Sequence, residues 1–418
     1  MGDNMININK DKQITKFKYY GFLKNLKFYE PFIIIYLLSF ELSLYQIGLL
    51  YSLREAIIYI FEVPSGVFAD RYGRKLELII CFLFYIGSFL FFFIGTDFYM
   101  FIIAMGFYGF GEALRTGTHK AIIMQYLEVN QVKESKGKVY GLTRSYSMLG
   151  SSLSSLLAII FLFFIKDLRY FFLLAIIPYL ADMILIMTYP SYLNNKSSDY
   201  FSVKDMICDG KNSIKYSFSS KKRVKLIFSS SLYNSIFKTV KDYLQPIIIF
   251  SSISLLSISG YTQDENAIIT VAIIYMIIYF ISSIASKQSS YVGDKFGKVR
   301  FSNISFLLFA VVLITLSFFL KNIYIVGIGF ILLYIITNLR RPIMVELVGN
   351  EIENKYRASV LSIESQLTSI ITIVIAPIFG YIAQEFSISR LFIGLGLALL
   401  LCFTIFLRMK KRVELKRA

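Results

Sequence analysis

The sequence predicts an all-α integral membrane protein with twelve transmembrane helices in two six-helix bundles and both termini in the cytoplasm. Three observations predict it: an apolar composition, twelve hydrophobic runs, and a charge bias that alternates from one connection to the next. Of 418 residues, 56% are hydrophobic and 17% charged, where a soluble chain carries about 25% charged residues. Mean hydropathy is +0.62. No single aqueous core could bury that much apolar surface, so lipid is the expected solvent. Forty Phe and thirty Tyr with no Trp leave tyrosine to supply the interfacial aromatic belt.

A span of the hydrocarbon needs roughly 20 mostly apolar residues. Seven runs reach or approach that length without a charge: 78–96, 145–165, 266–286, 301–320, 322–339, 365–384 and 391–407. Five more are helices by length and flanks but carry internal charge: about 19–40, 47–69, 98–124, 168–190 and 224–250. The expected organisation is a cytoplasmic tail over 1–18, a first bundle over 19–190, a cytoplasmic linker over 191–223, a second bundle over 224–408, and a basic tail over 409–418. The N-terminal stretch is polar, with no compact apolar core before a small-residue cleavage site, so no removable signal peptide is expected.

Basic residues orient the spans. With the N-terminal lysines, alternate connections and the C-terminal tail hold 29 of the 44 Lys and Arg, whereas the opposite connections hold four: Lys166, Arg169, Lys321 and Arg390. The net charge of +17 therefore reads as a cytoplasmic membrane face, not a nucleic-acid surface. Cys81, Cys208 and Cys402 are widely spaced, so neither a disulfide framework nor a metal site is expected. No Gly-rich phosphate loop occurs, no cofactor is implied, and a single histidine argues against an enzyme active site.

The two halves repeat. Lys24-x-x-Lys27-x-Tyr29-x-Pro31 in the first helix answers Lys238-x-x-Lys241-x-Tyr243-x-x-Pro246 in the seventh. The segment from Gly66 through Asp70, Arg71 and Gly73 to Arg74 and Lys75 answers Asp294, Lys295, Gly297 and Lys298 after the eighth. Arg115 and Arg340 follow at a similar offset. Six helices per half make the repeats parallel, related by an axis along the membrane normal.

On these residues the chain resembles the major facilitator superfamily: 66–75 fits that family's G-x-x-x-D-R-x-G-R-[RK] signature at every fixed position. Stretches 62–71 and 111–120 resemble bacterial facilitators of the efflux type. The resemblance implies that Asp70, Arg71 and Arg74 latch the cytoplasmic side, with Asp70 facing a helix N-terminus near Arg357. It also implies that helices 1, 4, 7 and 10 line a central cavity. Gly66 is expected to let helix 2 approach a neighbour closely.

Charges inside spans are costly and face a cavity or a partner. Here they follow helical spacing. Lys24, Lys27 and Pro31 lie at i, i+3 and i+7, with Glu30 adjacent, as do Glu112, Arg115 and His119. Lys238, Lys241 and Gln245 share a face of helix 7, and Arg340 and Arg341 lie on helix 10. The expected cavity residues are thus Lys27, Tyr29, Glu30, Glu112, Arg115, Lys238, Lys241, Arg340 and Arg341. Candidate proton carriers are Glu30, Glu112, Glu364 and His119; Arg144 and Glu364 fall at equivalent places in the two halves, suggesting an interaction in one state only. Internal salt bridges such as Glu30–Lys27 or Glu112–Arg115, and snorkelling by Lys24, are the plainer alternatives. Eleven basic residues against about eight acidic ones in the spans leave a positive surplus.

The expected function is secondary active transport by alternating access in the plasma membrane, with proton-coupled efflux of a small amphipathic molecule. The expected partners are the substrate, protons and the bilayer, with the chain a monomer. A carrier for an anionic or zwitterionic metabolite, siderophore-like or peptide-like, is the alternative. A membrane sensor or polytopic enzyme ranks behind both. The efflux expectation lacks one feature: the G-x-x-x-G-P-x-x-x-G-G motif of proton-coupled drug antiporters is replaced on helix 5 by Gly141, Ser147, Gly150, Ser151, Ser154 and Ser155.

Overall fold

The computed structural model describes residues 11–130, 136–194, 215–251, 255, 258–351 and 357–414. The described residues form fifteen α-helices. In the first half these are α1 (Lys12–Lys24), α2 (Ile33–Leu38), α3 (Leu44–Tyr72), α4 (Arg74–Ile94), α5 (Phe98–Arg115), α6 (Thr118–Val129), α7 (Lys136–Leu162) and α8 (Tyr170–Met187). The second half holds α9 (Lys221–Val240), α10 (Leu244–Ser251), α11 (Gln263–Phe296), α12 (Lys298–Phe318), α13 (Ile323–Asn350), α14 (Arg357–Glu385) and α15 (Ile388–Glu414). They make the twelve crossings once three broken ones are counted: α1 with α2, α5 with α6, and α9 with α10. Among the described residues, seven helices are long and apolar enough to cross a membrane by themselves.

Each break has a local cause. After α1 the backbone tightens into i→i+3 bonds from Glu30 N to Lys27 O and from Phe32 N to Tyr29 O, both 2.9 Å. Pro31, which has no N–H to donate, sits at the start of that 3-10 turn. A second 3-10 turn over Lys241–Tyr243 interrupts the equivalent crossing. Between α5 and α6, Thr116 is extended and Gly117 takes a φ of 87°, which a side chain would resist. Helix starts are fixed by side-chain caps. Asp97 accepts from the N–H groups of Tyr99 and Met100 at 2.8 and 3.0 Å, Asn322 caps α13 similarly, and Thr262 with Glu265 forms a capping box on α11.

Two compact units result: residues 1–40 with 53–201, and 41–52 with 202–418. In the first, α4 packs on α5 and α8, and α1 on α7 and α8. The second repeats that pairing, with α12 on α13 and α15, and α9 on α14. The sequence repeat is therefore a repeat of packing as well. The first unit's interior is built of stacked aromatics, among them Phe172 against Tyr29 at 4.8 Å and against Phe92 at 4.7 Å. Such pairs contribute about 0.5–1.5 kcal/mol each beyond the area they bury. Large apolar side chains that remain exposed, such as Phe164 and Ile177, suit a lipid-facing surface.

Two boundaries differ from expectation. The first helix starts at Lys12, not residue 19, and its Ile14 and Phe17 are fully buried. Residues 41–52 join the second unit, because Gly48 allows backbone contact: a Cβ there would lie 2.6 Å from the Ala376 carbonyl. Ser52 also donates to the Ile373 carbonyl at 2.8 Å. Much of the expected linker, 195–214, lies outside the described residues.

Candidate transport site

In the first unit the charges converge on Glu112. Its Oε2 accepts from Arg115 Nη2 at 2.7 Å, one helical turn along α5. Its Oε1 accepts from Tyr85 Oη on α4 at 2.7 Å and pairs with Lys24 Nζ at the end of α1 at 3.2 Å. Tyr85 reaches it because α4 and α5 run close at Gly111, where a Cβ would sit 3.0 Å from the tyrosine ring and where Cys81 donates to the carbonyl at 3.1 Å. Lys27, in the break after α1, donates to Tyr108 Oη at 3.0 Å, and Tyr108 lies one turn before Glu112. Lys24 and Lys27 also sit 5.6 and 5.7 Å from the ring centres of Tyr85 and Tyr108, a cation–π contact in each case. Lys24 is almost fully buried and Arg115 is the most open member, its side chain 31% exposed.

The structure brings together Lys27, Glu112 and Arg115 of the predicted cavity set, and Lys24 joins them as an ion-pair partner, not a snorkelling lysine. Glu30 is half-buried at the start of the 3-10 turn beside them. Tyr29 does not line an opening: it is buried and stacked on Phe172. His119 is likewise removed from the Glu112 face, because the turn at Gly117 cancels the i+7 register. It stacks on Tyr20 at 3.5 Å between ring centres and contacts Tyr189 Oη through Nε2 at 3.2 Å. Tyr85 and Tyr108 were not singled out from the sequence; among thirty tyrosines, Tyr108 is marked by its one-turn spacing from Glu112, and Tyr85 carries no such mark.

In the second unit Lys241 pairs with Asp242 at 2.7 Å, while Gln245 is fully buried and donates to Tyr275 at 3.4 Å; the 3-10 turn breaks the face shared with Lys238, which is half-buried on α9. Arg340 departs furthest from expectation. Only 1% exposed, it donates to the Ser229 carbonyl and hydroxyl at 3.2 and 3.0 Å and to the Ser302 carbonyl at 3.5 Å. Its guanidinium lies 4.2 Å from the Tyr233 ring centre and 5.2 Å from that of Phe306. It is enclosed among α9, α12 and α13 and presents no charge to an opening, while its neighbour Arg341 is exposed. Glu364 on α14 accepts from the Ser230 hydroxyl. Arg144 is half-buried on α7.

The signature loops are equivalent in shape. Gly73 and Gly297 have φ of 102° and 79° and each immediately precedes a helix, α4 and α12. Arg74 donates to Gln125 at 3.0 Å, and Lys75 to the Tyr189 and Met187 carbonyls, all within the first unit. Arg71 is exposed, stacked over Tyr72. Asp294 pairs with Lys298 at 3.3 Å. The side chains of Asp70 and Arg357 lie outside the described residues. Among the described residues Gly66 mediates no close approach: a Cβ there would meet nothing within 4 Å. Outside the spans, partial burial pushes the Asp167 carboxyl up, but the hydrogen bonds and charge of Arg169, 2.8 Å away, outweigh it and hold it below the usual carboxylate range.

A duplicated bundle of membrane-crossing helices with an ion-pair network in its interior defines a multi-pass membrane transporter. The family model of the Major Facilitator Superfamily matches residues 25–285 and 226–418, and the chain belongs to that family. It is 26% identical over 380 residues to the uncharacterized MFS-type transporter YxaM of Bacillus subtilis (strain 168), covering 89% of each chain. Among solved structures it resembles the nucleoside transporter NupG with a TM-score of 0.76 at 12% identity, covering 96% of this chain and 100% of that one. It also resembles a POT family transporter in complex with a thioalcohol-conjugated peptide, with a TM-score of 0.75 at 15% identity and 96% coverage of both. At such identities these likenesses speak for the fold alone.

Proposed function

We propose that the protein is a proton-coupled secondary transporter of the cell membrane, working by alternating access, and that its substrate is a small amphipathic molecule bearing an anionic group. One observation carries the reading: the single carboxylate of Glu112 is shared by two cations, Lys24 and Arg115. Lys27 lies beside them with its hydrogen bond on the Tyr108 hydroxyl. With Glu30 included, three cations face two carboxylates, and an anionic substrate group restores the balance in a medium where an unbalanced charge is costly.

Direction follows from competition. An anion that takes Arg115 must displace Glu112, and a proton on Glu112 makes that displacement easier. Proton and substrate then bind together, which favours co-transport over exchange. Export of a cationic amphipath against protons would need Glu112 open to a new cation, and it already holds two. The alternative of an anionic or zwitterionic carrier is therefore the better supported one, ahead of drug efflux.

The test is flux in proteoliposomes under an imposed pH gradient, comparing anionic, zwitterionic and cationic amphipaths with wild type, Arg115→Ala and Arg115→Lys. Anionic or zwitterionic solutes should accumulate down the proton gradient, with Arg115→Ala abolishing accumulation and Arg115→Lys retaining part of it. Exchange of cationic dyes for protons, with anions left unmoved, would sink the proposal.

A further inference from the structure

A second carboxyl lies in the first unit that the ion-pair network does not use. Asp182 on α8 is fully buried, and neither of its oxygens has a hydrogen-bond partner among the described residues. Tyr179, three residues earlier on the same face of α8, and Tyr20 on α1 are buried with their hydroxyls equally unpartnered. Phe82 links the two tyrosines, 6.1 Å from Tyr20 and 5.4 Å from Tyr179 between ring centres. Two unpartnered phenols thus flank Phe82, and Asp182 lies one turn along α8 from the second of them.

Among the described residues, one cation, Lys24, interacts with Asp182 through its charge. From α1, which packs on α8, come Tyr20 and Lys24, the latter 5.6 Å from the Tyr85 ring centre. From α4, Tyr85 faces α8, 5.3 Å from Tyr179 between ring centres, while Cys81 is turned to the Gly111 carbonyl. Tyr189 lies within electrostatic reach, and His119 is stacked behind Tyr20. Arg115 is tied to Glu112. An unpaired carboxylate buried this way would cost several kcal/mol, whereas the neutral acid avoids that cost.

Resting on the reading of the chain as proton-coupled, we infer that Lys24 exchanges between Glu112 and Asp182 during transport, and that Asp182 carries a coupling proton. Asp182 holds the proton while Lys24 sits on Glu112. When the flexible lysine stem swings its ammonium to Asp182, the O–H bond breaks and the proton leaves to water on the side then open. Lys24 keeps its charge throughout. Glu112, relieved of one partner, is left with Arg115 and Tyr85.

The experiment is infrared spectroscopy of the full chain reconstituted in phosphatidylcholine–phosphatidylglycerol vesicles, without substrate or gradient. Wild type at neutral pH should show the C=O stretch of a protonated carboxyl, and Asp182→Asn should lack it. Glu112→Gln should lose the band as well, because Lys24 then has no other carboxylate to sit on. Lys24→Met should keep it to higher pH than wild type. A band that survives Asp182→Asn overturns the assignment, and one unchanged in Glu112→Gln overturns the exchange. If Asp182→Asn does not reconstitute, Asp182→Glu decides: a shifted band supports the proposal and an unshifted one overturns it. Since the band is read without flux, its absence in wild type refutes the role of Asp182 while coupled flux tests proton coupling separately.

Discussion

Lys24 Nζ lies 3.2 Å from Oε1 of Glu112, whose other oxygen is held by Arg115 at 2.7 Å, so a single carboxylate joins α1 to α5. Removing its charge takes the ion-pair partner from Arg115 and leaves Lys24 only the buried Asp182, which must give up its proton to receive it. Breaking a buried pair by deleting one partner costs roughly 3–5 kcal/mol, and the 31% exposure of Arg115 brings the expectation to the lower end of that range. Glu112→Gln should therefore lower the thermal midpoint of the purified protein clearly. The double variant Glu112→Gln with Lys24→Met should recover part of the loss. No recovery in a thermal-shift measurement would mean that Lys24 and Glu112 are not energetically coupled.

Helices α1 and α7 touch through their backbones. A Cβ on Gly21 would lie 2.7 Å from the Ser147 hydroxyl and 2.9 Å from the Thr143 carbonyl, and one on Gly150 would press on the Phe22 carbonyl. Overpacking of this kind costs about 1–3 kcal/mol. Gly150→Val should be more damaging than Gly21→Ala, since it adds more bulk and meets rigid backbone. Size-exclusion profiles and thermal midpoints of both variants check the order; equal, near-wild-type values would refute the close approach.

Much of this architecture was legible in the sequence, and the parts that were not share a cause. Hydrophobic runs, the alternating basic connections and the duplicated glycine-aspartate loops give the crossings, their count and the repeat, because lipid imposes length and charge rules that survive without tertiary detail. The small residues Ser147 and Gly150 on helix 5 stand out in the sequence, and the structure packs them closely against α1. The network was legible only as residue types. Regular helical spacing put His119 with Glu112 and Gln245 with Lys241, and breaks at Gly117 and Lys241–Tyr243 moved both away. Arg340 matched Arg115 by offset, yet Ser229, Ser302 and Tyr233 enclose it. Which way a buried charge turns depends on neutral neighbours, and these leave little mark in a chain rich in serine and tyrosine.

The two loop glycines should differ in tolerance. Gly73 and Gly297 both hold φ values that L side chains avoid, 102° and 79°, a strain of about 1–3 kcal/mol for alanine. At Gly73 the Asn194 side chain also blocks a Cβ, and that same side chain accepts from the Lys75 N–H at 3.0 Å. At Gly297 the nearest obstacle is Arg300 Cβ at 3.9 Å. Gly73→Ala should thus lose more stability than Gly297→Ala, and Asn194→Ala should narrow the gap between them. Thermal midpoints of the three single variants and the Gly73→Ala, Asn194→Ala pair measure this directly. A larger loss at Gly297 would contradict the crowding at Gly73.

Arg340 should behave as a structural residue and not as a substrate ligand. Its guanidinium is spent on the Ser229 carbonyl and hydroxyl, on the Ser302 carbonyl and on the Tyr233 ring. Lysine cannot reproduce that fork with one ammonium, and a lost hydrogen bond to a buried charged group costs about 1–3 kcal/mol. Arg340→Lys should therefore lower the thermal midpoint, Ser229→Ala should do so by less, and the protein that survives should retain its apparent affinity for substrate. Arg115→Lys should do the reverse, weakening affinity more than stability because its head group is the most open of the Glu112 cluster. Flux kinetics read beside thermal midpoints separate the two arginines. Weakened affinity without a stability loss at Arg340 would place it back in the pathway.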